Sequence, residues 1–360
     1  MPISLADGLK RIDWRALALA LAIGAAGGAV FNWLRLPLAW LLGAMVAVTV
    51  AATSGARVRV PVRVVTVAYG VLGVTMGTAF SPEIFHRLGR FAVTMGALLV
   101  YIALIAAIML VLFRRVFGFD PKTAYFAAMP GGIAEMTAIG AAMGGDGRTI
   151  ALFHGTRILL VALCIPMAFH FLAGYQPQGV AAMGGALDSI GAADWLVFLA
   201  CGIAGHFGGR LIRLPAPSLL GGLIASALAH LGGLTTAKVP FLVIAASQLV
   251  IGCAIGTRFY GTSPALIARM LAIAAANVAI MLTITVGFSL GLSHLTDWPI
   301  DAIMLAFSPG GLPEMSLVAL VMGIDVVFVA AHHTVRIIFV VAMAPLCLRL
   351  LDRGRDGTAG

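Results

Sequence analysis

Residues 129–136 read MPGGIAEM, and residues 308–315 read SPGGLPEM. Each copy continues through a Met-Gly pair and an aspartate to a His-x-x-Arg motif, which ends at Arg157 in the first copy and at Arg336 in the second. From the proline to the arginine, matched residues lie 179 positions apart without a gap. The chain therefore contains one unusual segment twice, and the fold has to accommodate both copies.

The composition places these segments in a membrane. Hydrophobic residues make up 61% of the chain and charged residues 10%, with a mean hydropathy of +1.06, whereas soluble domains carry about 25% charged residues. Apolar stretches of 17 to 27 residues recur between residues 16 and 348, and helices of that length cross a hydrocarbon layer of ~30 Å. We predict an all-α polytopic membrane protein that lies in a lipid bilayer and has no soluble domain.

The net charge of +9 does not indicate a nucleic-acid partner, because no contiguous basic domain exists. An excess of Lys and Arg in cytoplasmic loops explains it better. The four cysteines lie in apolar segments without CxxC spacing, so we expect neither a metal site nor a redox site from them.

The duplication extends over nearly the whole chain. Arg35-Leu36-Pro37 recurs at residues 213–215, and Gly77-Thr78 recurs at residues 256–257. Such duplication is typical of transporter folds built from two structural repeats. The predicted segments are a cytoplasmic head (1–15), repeat 1 (16–174), an external linker (175–192), repeat 2 (193–351) and a cytoplasmic tail (352–360).

Lys and Arg positions favour one topology. A Pro-Gly-Gly sequence breaks a helix and frees backbone groups, so each such segment either re-enters the membrane or spans it in a broken form. With Arg157 and Arg336 set aside, the re-entrant arrangement places 17 of 21 Lys and Arg residues in the cytoplasm, and the spanning arrangement places 13 there. We therefore predict two inverted repeats of about five transmembrane helices plus one Pro-Gly-Gly re-entrant hairpin each, with both termini cytoplasmic.

Two re-entrant segments that enter from opposite faces would meet near the middle of the membrane. Half-helix N-termini there present free N–H groups to an anion or ion, and glycines let a ligand approach the backbone. Alternatively, the glycines serve only close helix packing. The predicted substrate or ion site consists of Pro130, Gly131, Gly132, Glu135, His154, Arg157, Pro309, Gly310, Gly311, Glu314, His333 and Arg336.

The charged members of this site have two interpretations each. Glu135 and Glu314 bind a coupling proton or sodium ion, or they form structural ion pairs with the arginines, because an unpaired charge at mid-membrane costs at least ~2.5–3.5 kcal/mol. The histidines relay protons, or they are hydrogen-bonded core residues. Asp146 and Asp325 are expected to be helix N-caps.

No sequence pattern indicates a cofactor. The pair His332-His333 lacks the HxxxH spacing of a metal site, and no Walker or dinucleotide motif is present. We expect no catalytic residues, no metal and no cofactor apart from a coupling ion.

The duplicated PGG-x-x-EM segment followed by a His-x-x-Arg helix resembles the AbrB-type membrane proteins of bacteria, which are also named ammonia monooxygenases or regulators of gene expression. The resemblance covers essentially the full chain and implies a multi-pass protein of the bacterial inner membrane. These proteins share only a name with the soluble AbrB DNA-binding regulators. The residues agree with neither functional label, because ligands for copper or iron are missing and no soluble segment is long enough for a DNA-binding domain.

The sequence thus favours a secondary transporter that moves a small organic anion by alternating access. An elevator mechanism is one form of such transport. Ion coupling would occur through the two glutamates. One alternative is a membrane sensor that regulates gene expression indirectly through a partner or a metabolite. A membrane enzyme is the other. The identity of the solute, the coupling ion and the direction of transport stay open, and analogy with elevator transporters suggests a homodimer.

Overall fold

The computed structural model describes residues 13–80, 91–175, 184–187 and 190–356, with side chains to residue 348. Most of the predicted head, much of the predicted linker and the end of the predicted tail lie outside these ranges.

Fourteen α-helices occur in the described residues, which confirms the all-α class. The first half contains α1 (Trp14–Trp33), α2 (Ala39–Thr53), α3 (Val62–Gly77), α4 (Phe91–Arg115), α5 (Pro121–Ala128), α6 (Ile133–Ala142) and α7 (Gly147–Phe171). The second half contains α8 (Ala192–Leu211), α9 (Pro217–Leu231), α10 (Phe241–Gly256), α11 (Pro264–Leu295), α12 (Ile300–Phe307), α13 (Leu312–Met322) and α14 (Val326–Asp356).

Seven helices within the described ranges are long and apolar enough to cross a membrane, namely α1, α4, α7, α8, α10 with its 3₁₀ extension, α11 and α14. The fold is therefore consistent with a polytopic membrane protein. Helices α2, α3 and α9 contain 15 or 16 residues, or about 22–24 Å of helix. Five spans per repeat, and their inverted orientation, stay predictions.

The chain divides into two compact units, and each unit takes segments from both sequence repeats. Unit 1 comprises Met1–Phe80 and Ile165–Ile267, and unit 2 comprises Ser81–Cys164 and Ala268–Gly360. The first part of each repeat therefore belongs to unit 1, and the Pro-Gly-Gly segment of each repeat belongs to unit 2.

Unit 1 is built on close helix crossings. Helix α1 packs on α2, and α8 packs on α9. A Cβ atom on Gly27 would overlap the carbonyl group of Gly43, and one on Gly205 would overlap Gly221. The absence of these side chains lets the backbones touch, as small residues do at helix interfaces in membranes.

Helices of the two halves exchange partners within unit 1. Helix α3 packs on α9, and α10 packs on α2. Gly73 lies against the backbone of Leu219, and Gly252 lies against the backbone of Leu41. Both halves are therefore needed to complete this unit.

Unit 2 contains both Pro-Gly-Gly segments. Helix α14 packs against α4, α6, α12 and α13. The hydroxyl of Tyr125 on α5 donates to the carbonyl oxygen of Ala344 on α14 over 2.8 Å, and Tyr101 on α4 is hydrogen-bonded to Thr285 on α11 over 2.8 Å. These bonds tie the segments of the two halves together.

Candidate functional site

Each Pro-Gly-Gly sequence separates two short helices. Helices α5 and α6 contain 8 and 10 residues, and α12 and α13 contain 8 and 11. At 1.5 Å per residue, an eight-residue helix is ~12 Å long, less than half of the hydrocarbon thickness. Both segments are therefore broken helices.

Proline explains where the first helix of each pair ends. Met129 and Ser308 precede the prolines and adopt extended conformations, with ψ values of 128° and 149°. A residue before proline is displaced from the helical region by steric contact with the proline ring. The prolines also lack an N–H to donate, so the carbonyl groups at this point need other donors.

The glycines provide room for side chains of their own segment. A Cβ atom on Gly131 would lie 2.8 Å from Cγ of Met136, and one on Gly310 would lie 2.6 Å from Cγ of Met315. The φ angles of the second glycines, Gly132 and Gly311, are −71° and −80°, so the backbone conformation does not require glycine there. Close approach of the following side chains does.

Both glutamates fold back over the start of the second short helix. A Cβ atom on Gly132 would overlap an oxygen of Glu135, and one on Gly311 would overlap an oxygen of Glu314. Each glutamate is the third residue of its helix, from which a carboxylate reaches the free N–H groups of the first turn. Glu135 is half-buried, whereas Glu314 is 4% exposed.

The arginines bind the carbonyl groups at the breaks. Nη2 of Arg157 donates to the carbonyl oxygen of Gly131 over 3.3 Å. Arg336 donates from Nη1 to Ser308 over 2.6 Å and from Nη2 to Gly310. Both arginines are 2% exposed. Each guanidinium thus supplies donors where the helix has been interrupted.

The histidines bind the last turn of the first short helix. Nε2 of His154 lies 3.0 Å from the carbonyl oxygen of Phe126, and Nε2 of His333 lies 3.0 Å from that of Leu305. Because a carbonyl oxygen only accepts, Nε2 is the protonated nitrogen in both residues. His154 and Arg157 therefore contact one broken helix together, and His333 and Arg336 contact the other.

Three kinds of buried polar atom in unit 2 have no hydrogen-bond partner among the described residues, and they occur in pairs that match between the repeats. The atoms are Nε of Arg157 and Arg336, Nδ1 of His154 and His333, and Oγ of Thr137 and Ser316. Buried polar atoms normally have partners. Their repetition in both copies indicates a common role.

The two arginines and one tyrosine form an electrostatic cluster. The guanidinium groups of Arg157 and Arg336 interact with each other, and both interact with the hydroxyl of Tyr101. Tyr101 is fully buried. Because the two guanidinium groups repel each other, positive charge from both repeats is concentrated in one region of unit 2.

The sequence analysis did not include Tyr101, Thr137 or Ser316 among the site residues. Thr137 and Ser316 could have been found, because they are hydroxyl-bearing residues 179 positions apart. Tyr101 has no counterpart in the second repeat, so no sequence signal marks it.

Asp146 and Asp325 cap the last helix of each repeat, as expected. Oδ1 of Asp146 accepts from the N–H of Arg148 over 2.9 Å, and Oδ1 of Asp325 accepts from those of Val327 and Phe328 over 3.0 Å. A hydrogen bond from the hydroxyl of Thr149 lowers the pKa of Asp146 below its usual value.

The described residues contain no group of three or more His, Cys, Asp or Glu side chains placed to hold a metal ion. That the protein works without a metal stays a prediction.

Comparison with known proteins identifies relatives over nearly the full chain. A protein of Bacillus subtilis (strain 168), "Uncharacterized protein YhjN", is 24% identical over 352 residues, with 92% of each chain covered. A protein of Escherichia coli (strain K12), "Putative regulator AbrB", is 26% identical over 336 residues, with 93% of this chain and 94% of the relative covered. No solved structure matches the chain.

Residues 40–352 match the family model described as "Transition state regulatory protein AbrB". That range covers well over half of the chain and includes both broken helices with their arginines. The protein therefore belongs to the AbrB family, as the duplicated motif implied.

Proposed function

We propose that the protein is a secondary transporter that moves a small organic anion across the membrane by alternating access. The observation that carries this proposal is that both broken helices and both buried arginines belong to one compact unit. Broken helices with buried ionisable residues are the usual substrate sites of secondary transporters.

An anion is the solute that fits the charges. The two guanidinium groups lie within electrostatic range of each other, and each retains a buried Nε–H without a partner among the described residues. Helices α6 and α13 begin directly after Gly132 and Gly311, and their N-termini add partial positive charge. A carboxylate would satisfy the Nε–H donors bidentately together with a neighbouring Nη.

We base the proposed transport cycle on the division of the chain into two compact units. A compact unit that carries the site can move as a rigid body, so we extend the proposal to an elevator mechanism by a homodimer. Glu135 and Glu314 are the residues at which a proton or a sodium ion would couple to the solute. We include inverted repeats of five spans and one re-entrant hairpin in this proposal, and we include no catalytic step.

Cysteine labelling tests the inverted topology. Single cysteines replace Val180, Arg213 and Thr296 in a variant without the four native cysteines, and an impermeant maleimide is applied to intact cells and to inverted vesicles. Residue 180 lies outside the described residues, but its predicted place is the external linker. We expect residues 180 and 296 to react from outside and residue 213 from inside. Reaction of residues 180 and 213 from the same side would contradict the inverted arrangement.

Ligand-dependent stability tests the anion site. A ligand that binds only the folded state raises its stability, by about 2.7 kcal/mol at a hundredfold excess over Kd. Purified protein in detergent is heated with monocarboxylates, dicarboxylates and organic amines, beside the variants Arg157→Gln and Arg336→Gln. The exposed Arg148 lies on the same helix as Arg157, so Arg148→Gln is the matched control.

We expect a carboxylate to raise the unfolding temperature of the wild type and of Arg148→Gln, and to have no effect on the two site variants. Equal stabilisation of all four proteins would place the anion elsewhere. Stabilisation by amines alone would exclude an anionic solute.

The second candidate is a membrane sensor that regulates gene expression through a partner. The name of the Escherichia coli relative favours it. A sensor would bind a carboxylate in the stability experiment but would not carry it into proteoliposomes.

A further inference from the structure

His332 differs from the other buried histidines of unit 2. Its Nδ1 lies 2.7 Å from the carbonyl oxygen of Phe328, and its Nε2 lies 2.9 Å from the hydroxyl oxygen of Thr94 on α4. The residue is fully buried. Both ring nitrogens of His332 therefore have partners, whereas Nδ1 of His154 and of His333 has none among the described residues.

The hydrogen bonds of Thr94 are compatible with two protonation states of His332. The carbonyl oxygen of Phe328 only accepts, so Nδ1 of His332 carries a proton. The hydroxyl of Thr94 also lies 3.0 Å from the carbonyl oxygen of Phe91, to which it can donate. Because a hydroxyl has one proton, Thr94 can donate a hydrogen bond either to Phe91 or to Nε2 of His332, but not to both.

Each arrangement corresponds to a complete set of hydrogen bonds. With a neutral imidazole, the Thr94 hydroxyl donates to Nε2. When a proton binds the lone pair of Nε2, the new N–H donates to the oxygen of Thr94, and the Thr94 hydroxyl turns to Phe91. The heavy atoms stay in place, so His332 can gain and lose a proton without leaving a buried donor unpaired.

Aromatic rings surround the imidazole. The ring centroids of Phe328, Phe91 and Phe307 lie 4.1, 5.9 and 6.0 Å from that of His332. Trp298 stacks on Phe328 at 4.1 Å. Ring faces at these distances attract a cation, which compensates in part for burial of the charge.

The other histidines are less suited to a second proton. A proton on Nδ1 of His154 or His333 would create a buried donor without an acceptor. Each of these histidines also interacts with a neighbouring arginine, Arg157 or Arg336. Both features oppose a positive charge on these two rings.

The ionisable groups around His332 come from four parts of the chain. On its own helix, His333 is adjacent and interacts with it, and Arg336 lies one turn further. Helix α13, which packs on α14, carries the buried Glu314. Asp297 precedes Trp298 in the chain, and Tyr101 lies two turns beyond Thr94 on α4. The nearer hydrogen-bond partners, Thr94 and Phe328, are neutral.

His332 is also a point at which the two repeats differ. The residue 179 positions earlier is Phe153, which packs edge-on against Phe113 at 4.8 Å. The duplicated site therefore has a titratable ring at this position in the second copy only.

We propose that Nε2 of His332, with the hydroxyl of Thr94, is a proton-binding site, and that it takes up a proton during the transport cycle in addition to the ion that couples at Glu135 and Glu314. The second half of this statement rests on the proposed transport function. The first half does not.

Histidine NMR tests the proton site directly. The protein carries isotope-labelled histidine, is purified in detergent without any solute, and is titrated with hydrogen ions between pH 8 and pH 3.5. The variant His332→Gln identifies the signal of His332 by its loss. We expect that signal to change from the neutral to the doubly protonated form within this range.

Thr94→Val keeps the test decisive if His332→Gln does not fold. It removes the oxygen that accepts from Nε2, so the transition should disappear, whereas Thr94→Ser should retain it. His294 is exposed, and the NMR signal lost in His294→Gln should be the same in all Thr94 variants. A His332 signal that stays neutral to pH 3.5, or that titrates unchanged in Thr94→Val, would overturn the inference.

The outcome is separate from that of the transport experiments. Solute flux in a protein whose His332 stays neutral would overturn this inference alone. Titration of His332 in a protein without flux would support the proton site and contradict the transport function.

Discussion

Arg336 donates a hydrogen bond from Nη1 to the carbonyl oxygen of Ser308 over 2.6 Å, at the residue where helix α12 ends. Its Nη2 donates to Gly310 beyond the proline. A hydrocarbon environment offers no water to these carbonyl groups. The arginine therefore stabilises the broken helix even before any solute binds.

Replacement of the arginines should destabilise the two breaks unequally. Arg336→Met leaves two carbonyl groups without their donor, and Arg157→Met leaves one. Each buried acceptor left unpaired costs about 1–3 kcal/mol. We expect both variants to unfold more easily in detergent, with the larger loss for Arg336→Met. Arg148→Met should unfold like the wild type, and equal losses in all three variants would contradict this assignment.

The contact between Gly310 and Met315 predicts a non-additive pair of substitutions. Gly310→Ala places a methyl group 2.6 Å from Cγ of Met315, and such overpacking costs about 1–3 kcal/mol. Met315→Ala removes the obstructing atoms, so the double variant should lose at least about 0.5 kcal/mol less than the sum of the single losses. Chemical unfolding of the four proteins measures this difference.

Gly155→Ala is the control for this experiment. Gly155 lies inside α7, and no atom lies within 4 Å of the position of its Cβ. Alanine there should be neutral or stabilising by up to about 1 kcal/mol. If the losses of stability in Gly310→Ala and Met315→Ala were strictly additive, the glycine would not be required to make room for Met315.

A strained position before α9 should be relieved by glycine. Ala216 has a φ angle of +47°, and this left-handed conformation costs a non-glycine residue roughly 1–2 kcal/mol. Ala216→Gly should raise the free energy of unfolding by about 1 kcal/mol. Ala225→Gly, inside the same helix, should lower it by about 1 kcal/mol. A loss of stability in both variants would show that Ala216 is not strained.

The Asp146 cap predicts a pH dependence. Hydrogen bonds from Thr149 and the following backbone lower the pKa of Asp146 in the folded protein. Its contribution is therefore complete above the unfolded-state pKa of about 3.9 and is lost as the pH falls through the lower folded-state value. Asp146→Ala should cost about 1 kcal/mol at pH 7, and the difference from the wild type should shrink below about pH 4. Unfolding curves at several pH values measure it, and a difference that grows in acid would contradict the capping role.

The helices and the breaks could be predicted from the sequence because their causes are local. Apolar length defines the long helices, and the prolines at 130 and 309 end the short ones. The exchange of partners in unit 1 could not be predicted, because an apolar helix carries no mark of the helix it contacts. Gly73 meets Leu219 only in the folded protein.

The sequence named residues for the candidate site but could not give their contacts. Repetition marked His154 and Arg157, yet it could not show that the arginine binds the carbonyl oxygen of Gly131. From the sequence, the glycines had two alternative roles, either to let a ligand approach the backbone or to allow close helix packing. The structure shows a third role. Gly131 and Gly132 leave room for the side chains of Met136 and Glu135 in the same segment. His332 has no repeat counterpart of its type, so its two hydrogen bonds became visible only in three dimensions.

Solute flux is the measurement that tests the central claim most directly. The carboxylate identified by the stability experiment is supplied in labelled form to proteoliposomes with wild-type protein, and counterflow is measured beside Arg336→Gln and Arg148→Gln. Both variants are first shown to be folded. We predict uptake by the wild type and by Arg148→Gln, and at least a tenfold lower rate for Arg336→Gln. Binding of the carboxylate by the wild type with no uptake above that of empty liposomes would contradict the account and favour a sensor.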